Sequence, residues 1–256
     1  MNILEYSMCE GVRAFSTKRT GGVGQGAYST FSITPYTGDE PQHVKSNIGL
    51  LCATLNISED HLVLPWQTHT ANVKLITAEG CNKFEDLKDV DALITQQRGV
   101  CIGVSTADCV PVLLCDKTKK CVAAIHAGWR GTVANIVGKT IEAMCSNCNV
   151  CAKDIVAVIG PSISLESFEV GDEVYEAFRI AGFDMKQIAQ RYCGLHGERW
   201  HIDLWAAVKS QLQHCGVLPQ HIQVSGICTY QHYEEYFSAR RLGLHSGRIF
   251  SGIMLE

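Results

Sequence analysis

The spacing of apolar positions changes repeatedly along the chain, and the changes mark its elements. VRAFST (12–17) reads as a strand, and KRTGGVGQGAYST (18–30), with four glycines, as a loop. Such a loop can present backbone N–H groups to an anion, although flexibility alone also explains it. PQHVKSNIGLLCATL predicts an amphipathic helix from about 40 to 55, opened by Pro41. HLVLPWQTHTANVKLIT (61–77) predicts two short strands broken around Pro65 to Thr70.

DALIT and GVCIGVST (91–106) predict strands separated by a polar turn. VPVLLC (110–115) and CVAAIH (121–126) flank the charged turn DKTKK and predict a β-hairpin. Pairing Cys115 with Cys121 sets Val110 opposite His126 and Cys109 one step away, where facing Cβ atoms are roughly 5 Å apart. HAGWRG then opens a helix in which Val133, Ile136, Val137, Thr140 and Ile141 recur at helical spacing. IVAVIGPSI (155–163) predicts a strand ending in a Gly-Pro turn. VGDEVYEAFRIAG and LWAAVKSQLQHCG predict helices stopped by glycine, HIQVSGICTY a strand, and FSARRLGLHSGRIFSGIML the closing tail. Strands mixed with helices and a hairpin predict an α/β (α+β) fold, a mixed sheet covered by helices. Without repeats or a low-complexity linker, residues 1–256 are expected to form a single domain.

Composition narrows the classes. The chain is 46% hydrophobic and 19% charged, as in an ordinary globular enzyme. A formal net charge of −4 gives no general attraction to nucleic acid or to anionic lipid. MNILEYSMCEG lacks the marks of a secretory signal, and no apolar run approaches the roughly 18 residues of a membrane span. A cytoplasmic location is expected. Thirteen cysteines, an odd number without a small-domain framework, are expected to be mostly reduced. CSNCNVC (145–151) resembles part of an iron–sulfur or zinc motif but lacks a fourth ligand at suitable spacing, so free thiols explain it as well.

Cys109 and His126 meet at the open end of the predicted hairpin, and His69 sits at a break between strands. Two imidazoles and a thiolate with a fourth position open to water are the donor set of catalytic zinc. Cys109 with His126 would also serve as a nucleophile and base, and each of the three has an ordinary reading as a turn or strand-end residue. HAGWRG follows a strand and opens a helix, as anion-binding turns do, with Gly128 and Gly131 allowing tight turns and Arg130 adding charge. A helix corner packing Trp129 is the plainer alternative.

GGV (21–23), QTHTANV (67–73), DALIT (91–95), TADCVPVLLCD (106–116), AAIHAGWRG (123–131), IGPSI (159–163), FEVG (168–171), CTY (228–230), FSARR (237–241) and GR (247–248) occur in this order. Together they resemble the YfiH-like family, also called the multicopper polyphenol oxidase (laccase) domain family, which includes peptidoglycan editing factors. The resemblance implies a three-layer α/β/α fold with a mixed sheet, similar to the catalytic domain of cytotoxic necrotizing factor. It implies a metal, usually zinc, on His69, Cys109 and His126. It further implies phosphorolysis of adenosine, inosine, guanosine and methylthioadenosine and deamination of adenosine. The partners expected are a purine nucleoside and phosphate, not nucleic acid or a membrane, and the chain is expected to be a monomer or homodimer. Gly24 stands where relatives have Ser, Ser32 stands near their Asn, and Ser238-Ala239-Arg240-Arg241 lacks their Tyr.

Deamination would use zinc-activated hydroxide at C6 of the purine, with Asp108 either shuttling a proton or capping the turn. Phosphorolysis needs a phosphate site, for which Arg19, Arg130 and Arg240 are candidates unless they form ordinary surface salt bridges. A copper-dependent polyphenol oxidase is an alternative, but several copper ions need clustered imidazoles, and the ten histidines include no His-x-His pair. A metal-free cysteine hydrolase and a peptidoglycan-precursor editing or binding module are the others.

Overall fold

The computed structural model describes residues 1–77, 84–118, 121–194 and 197–256. The end of the DKTKK turn, Cys81 and His196 lie outside the described residues. In chain order the strands are β1 (Ile3–Tyr6), β2 (Val12–Thr17), β3 (Leu62–Val63), β4 (Val73–Ile76), β5 (Ala92–Thr95), β6 (Cys101–Thr106) and β7 (Val110–Asp116). They continue with β8 (Val122–Ala127), β9 (Ile155–Ile159), β10 (Glu169–Val170), β11 (Ala189–Gly194), β12 (Gly197–Ile202), β13 (Ile222–Val224) and β14 (Ile249–Leu255). The α-helices are α1 (Pro41–Leu55), α2 (Trp129–Val133), α3 (Ile136–Cys148), α4 (Asp172–Ile180), α5 (Met185–Ile188), α6 (Leu204–His214) and α7 (Ala239–Leu242).

The mixed α/β architecture is as expected. Its strands form a five-stranded sheet in the order β1-β2-β14-β6-β3, a six-stranded sheet in the order β13-β9-β7-β8-β5-β4, and a small sheet β10-β12-β11. The two large sheets stack. Leu113, Cys115, Val122 and Ala124 of the six-stranded sheet pack on Ala14, Ile102, Val104 and Ile253 of the five-stranded one. The opposite face of the six-stranded sheet, with Val112, Leu114 and Ile125, is covered by Ile141 and Met144 of α3, Phe178 of α4 and Leu212 of α6. On the far side Phe15 and Phe250 pack against Leu51 and Leu55 of α1. Both faces of β7 and β8 are therefore buried, which is why those strands read as nearly unbroken apolar runs.

Local chemistry sets the element ends. Pro41 opens α1, and Asn56 closes it in the left-handed conformation. The Asp203 carboxylate accepts from the Ala206 N–H at 2.9 Å and caps α6.

The hairpin register differs from the expected pairing by one residue. Cys115 pairs with Val122, Pro111 with His126 and Val110 with Ala127. The two strands are apolar on both faces, so the hydrophobic pattern alone does not select the register. The stacking does, because it places Leu113 opposite Ala124 toward the second sheet and Val112 opposite Ile125 toward the helices. One step past Val110 and Ala127, Cys109 comes to lie across from Gly128. The predicted strand HIQVSGICTY also shortens to β13, and β1 and the small sheet β10-β12-β11 add to what the pattern predicted.

Candidate metal centre and its pocket

TADC (106–109) is the connection by which the chain leaves β6 in one large sheet and enters β7 in the other. Such a crossing needs a sharp turn, and Asp108 takes it at φ 82°. That turn delivers Cys109 to the end of the hairpin. His126 is the penultimate residue of β8. His69 stands in the loop before β4, at φ 66°, in the left-handed region that non-glycine residues seldom adopt. The ligating atoms of His69, Cys109 and His126 all lie within 4.8 Å of one another.

Asp91 organises this convergence. It is fully buried immediately before β5, on the rung opposite His126. His126 Nδ1 is 2.7 Å from Asp91 Oδ1. An ionised carboxylate only accepts, so Nδ1 carries the proton and Nε2 is left for the pocket. The same carboxylate accepts from the backbone N–H groups of His69 at 3.1 Å and Thr70 at 2.7 Å, and from the Thr70 hydroxyl at 2.7 Å. One side chain thus holds both the imidazole of β8 and the loop bearing the second imidazole.

The electrostatics follow. Burial alone would raise the Cys109 thiol, but the charge of His126 and hydrogen bonds from His126 and His69 outweigh it and bring it down to about 6. Burial would lower His126, but the Cys109 thiolate and the Asp91 hydrogen bond raise it to about 9. Asp91 is pushed up by burial and pulled further down by His126 and Thr70, ending below the ordinary carboxylate range.

The donor set fits a single soft-tolerant cation. Bonds of about 2.0–2.3 Å allow an imidazole and a thiolate on one zinc to stand up to about 4.4 Å apart. His69 Nε2 and Cys109 Sγ are 3.8 Å apart. Gly128 closes this space from behind: a Cβ there would stand 2.9 Å from His69 Cδ2 and 3.0 Å from Cys109 Sγ. Among the described residues this is the one group of three or more potential ligands so gathered. Cys145, Cys148 and Cys151 form no such group, and burial raises the thiols of Cys145 and Cys148 above their ordinary value.

The three residues open into a pocket of about 300 Å³ whose walls include Tyr36, Gln67, Ser105, Leu244, His245 and Arg248. The ring of Tyr36 is fixed by near-parallel stacking on Trp66 and Phe84, with centroids 5.8 and 5.6 Å away. The Gln67 amide is fixed by Ser105, accepting from its N–H at 2.7 Å and donating to its carbonyl at 2.8 Å.

The sequence candidates outside the triad sit elsewhere. Asp108 accepts from the Thr229 hydroxyl and the Arg240 backbone N–H, both at 2.7 Å, so its two oxygens tie the TADC turn to the tail. Arg19 donates to the carbonyls of Ser29 and Tyr233 and lies over the Phe237 ring. Arg130 is exposed and lies 4.2 Å over Trp129. The Arg240 guanidinium donates to the Glu169 carbonyl. None of the three lines the pocket. Arg248 does, and in the sequence it stands only within the GR motif. It donates to the carbonyls of Leu244, Ser246 and Gly247, and among the described residues it forms no salt bridge, Asp108 acting on it only through its charge. Burial lowers its guanidinium below the ordinary value.

Comparisons with known proteins identify the family and its relatives. Residues 13–256 match the family described as multi-copper polyphenol oxidoreductase laccase. A purine nucleoside phosphorylase of Bacteroides thetaiotaomicron is 50% identical over 94% of this chain and 91% of its own length. Adenosine deaminase RL5, from an unknown prokaryotic organism, is 43% identical over 95% of this chain and 94% of its own. The crystal structure of the Bacillus licheniformis hypothetical protein YfiH superposes with a TM-score of 0.89 at 27% identity, covering 96% of this chain and 93% of that one.

Proposed function

Since the chain belongs to this laccase-type YfiH family, we propose that it is a zinc-dependent purine nucleoside enzyme. It phosphorolyses adenosine, inosine, guanosine and methylthioadenosine and deaminates adenosine. One observation carries the reading: a single His69–Cys109–His126 donor set, oriented by Asp91, shares a pocket with a guanidinium that forms no salt bridge among the described residues. The names of the relatives, purine nucleoside phosphorylase and adenosine deaminase, supply the substrate class.

His69, Cys109 and His126 would hold the zinc, and when bound the ion supplies Lewis acidity and makes hydroxide available at neutral pH. Asp91 keeps the proton of His126 on Nδ1, so that Nε2 faces the pocket. Arg248 holds inorganic phosphate, since a desolvated guanidinium matches its oxygens. Tyr36, locked by its neighbours, forms a rigid aromatic wall for the purine. Asp108 braces the turn that carries Cys109. Copper in the same three ligands, with phenol oxidation, remains the competing use of the family name, yet among the described residues no second imidazole cluster accompanies them. The described cysteines are unbridged, which supports a reducing, cytoplasmic setting.

A second reading has its own support. A thiol lowered to about 6 beside an imidazole oriented by a buried carboxylate is also the arrangement of a metal-free cysteine hydrolase. Product analysis of adenosine, with and without phosphate, separates these possibilities. Phosphate-dependent adenine indicates phosphorolysis, and inosine indicates deamination, both abolished in Cys109→Ala. Unchanged rates in that variant, or copper-dependent phenol oxidation without nucleoside turnover, would overturn the proposal. Turnover that survives rigorous chelation favours the hydrolase.

A further inference from the structure

The pocket beside the metal centre holds a third imidazole. His245 lines it together with His69, Cys109 and His126. It stands on the loop between α7 and β14, and the hydrogen bonds of that loop explain its position. The Arg248 guanidinium donates to the carbonyls of Leu244, Ser246 and Gly247, and the Ser246 hydroxyl donates to the Gly243 carbonyl at 2.7 Å. The loop backbone is thereby wrapped around its own arginine, while Leu244 and His245 stay exposed at the pocket. Across from His245 runs the segment that carries Tyr36. A Cβ placed at Gly38 would stand 3.9 Å from His245 Nδ1 and 3.0 Å from the Tyr28 hydroxyl.

His245 differs from the other polar side chains on these walls, which all have partners. Tyr36 donates to Gln67 Oε1, Thr37 to the Thr34 carbonyl and Gln67 to the Ser105 carbonyl, and the Ser105 and Thr34 hydroxyls stand 2.7 Å apart. His69, Cys109 and His126 form the candidate metal set, and Arg248 supports its loop. Among the described residues His245 has no hydrogen-bond or ion-pair partner. No Asp, Glu or Lys lines the pocket. The titratable groups around the ring are therefore Arg248, the Tyr28 and Tyr36 hydroxyls and the metal set. Asp39, next to Gly38, is engaged by His43 and by the Glu40 N–H. An uncommitted imidazole is a side chain suited to exchange a proton near neutral pH.

Resting on the proposed phosphorolysis, we infer that His245 is the acid that protonates the departing purine. The base lies against Tyr36, and the His245 ring meets its edge from the opposite side of the pocket mouth. A hydrogenphosphate oxygen bonds to C1′ of the ribose as the C1′–N9 bond breaks, and the electron pair of that bond enters the purine ring. The proton on His245 Nε2 moves to N7 of the purine, so the base leaves neutral. The imidazole then recovers a proton from solvent.

The test compares inosine phosphorolysis by the full-length wild-type chain and by His245→Gln, a substitution at an exposed position. A positioned acid contributes about 10²–10⁴-fold, so kcat should fall by that factor while the KM for phosphate holds. The basic limb of the kcat–pH profile should vanish in the variant. 7-Methylguanosine already carries a positive charge on the imidazole ring of its base, which leaves without needing a proton. Its phosphorolysis should be spared. An unchanged kcat for inosine, a retained basic limb, or equal losses with inosine and 7-methylguanosine would each overturn the inference. So would a raised KM for phosphate with kcat preserved, which would make His245 a phosphate contact. Wild-type chain that makes no hypoxanthine from inosine and phosphate would refute the phosphorolysis itself, and the inference with it, before the variant is read.

Discussion

Asp91 Oδ1 stands 2.7 Å from His126 Nδ1 and also accepts the backbone N–H of His69 at 3.1 Å, so a single oxygen links two of the three candidate ligands. Asp91→Asn would present an amide to donors that need an acceptor. It should weaken zinc binding about 10–100-fold, read by competition with a chromogenic chelator. Unchanged affinity would show that the ligands orient themselves.

The same carboxylate gives an acid limb to stability. Its folded pKa is below the ordinary value, so its contribution is complete above the unfolded pKa of about 3.9 and is lost as the pH falls through the folded value. In metal-free protein, the urea-midpoint gap between wild type and Asp91→Asn should be full at neutral pH and should close below about pH 4.

Cys109 should be a thiolate at neutral pH once metal is removed. Its alkylation by iodoacetamide, followed by mass spectrometry of the Cys109 peptide, should rise with a midpoint near 6. His126→Asn removes the charge that outweighs burial and should move the midpoint upward. Added zinc should protect the thiol. A midpoint near 9 in wild type would rule out the pairing.

Arg248→Met should separate the two proposed reactions. Loss of one charge-assisted contact of about 1.5–3 kcal/mol corresponds to a rise in the KM for phosphate of roughly 10–100-fold. Deamination, which consumes no phosphate, should change far less. Equal losses in both reactions would assign Arg248 to nucleoside binding or to folding.

Asp108 and Thr229 share a 2.7 Å hydrogen bond, and Asp108 is not among the residues that line the pocket. Asp108→Asn and Thr229→Val should each destabilise the fold by about 1–3 kcal/mol and leave the pH profile of deamination in place. A lost limb of that profile in Asp108→Asn alone would restore the proton-shuttle role.

The hairpin and the long helices were legible in the sequence because each depends on local signals, apolar runs and glycine stops, and the three candidate ligands were marked by short motifs that resemble those of a known family. The register of β7 on β8 was not, since both faces are apolar and only the second sheet distinguishes them. The β11–β12 ribbon escaped because charged residues such as Arg191, Glu198 and Arg199 leave no apolar face to read. Asp91 looked like the polar first residue of a strand. Its role appears only when β5, β8 and the loop before β4 end at one place. Arg248 depends on a longer reach: β14 pairs with β6, setting Ile249 beside Thr106 and so carrying Arg248 to the TADC turn.

Gly128 has a consequence for how this site can change over generations. Every single-base change that replaces a glycine codon's residue introduces a side chain, and any Cβ here runs into His69 and Cys109. Drift at position 128 is therefore blocked at the first step. Variation that alters what the pocket accepts has to enter through other walls, such as Leu244 and His245, where the chain is exposed and a new side chain has room.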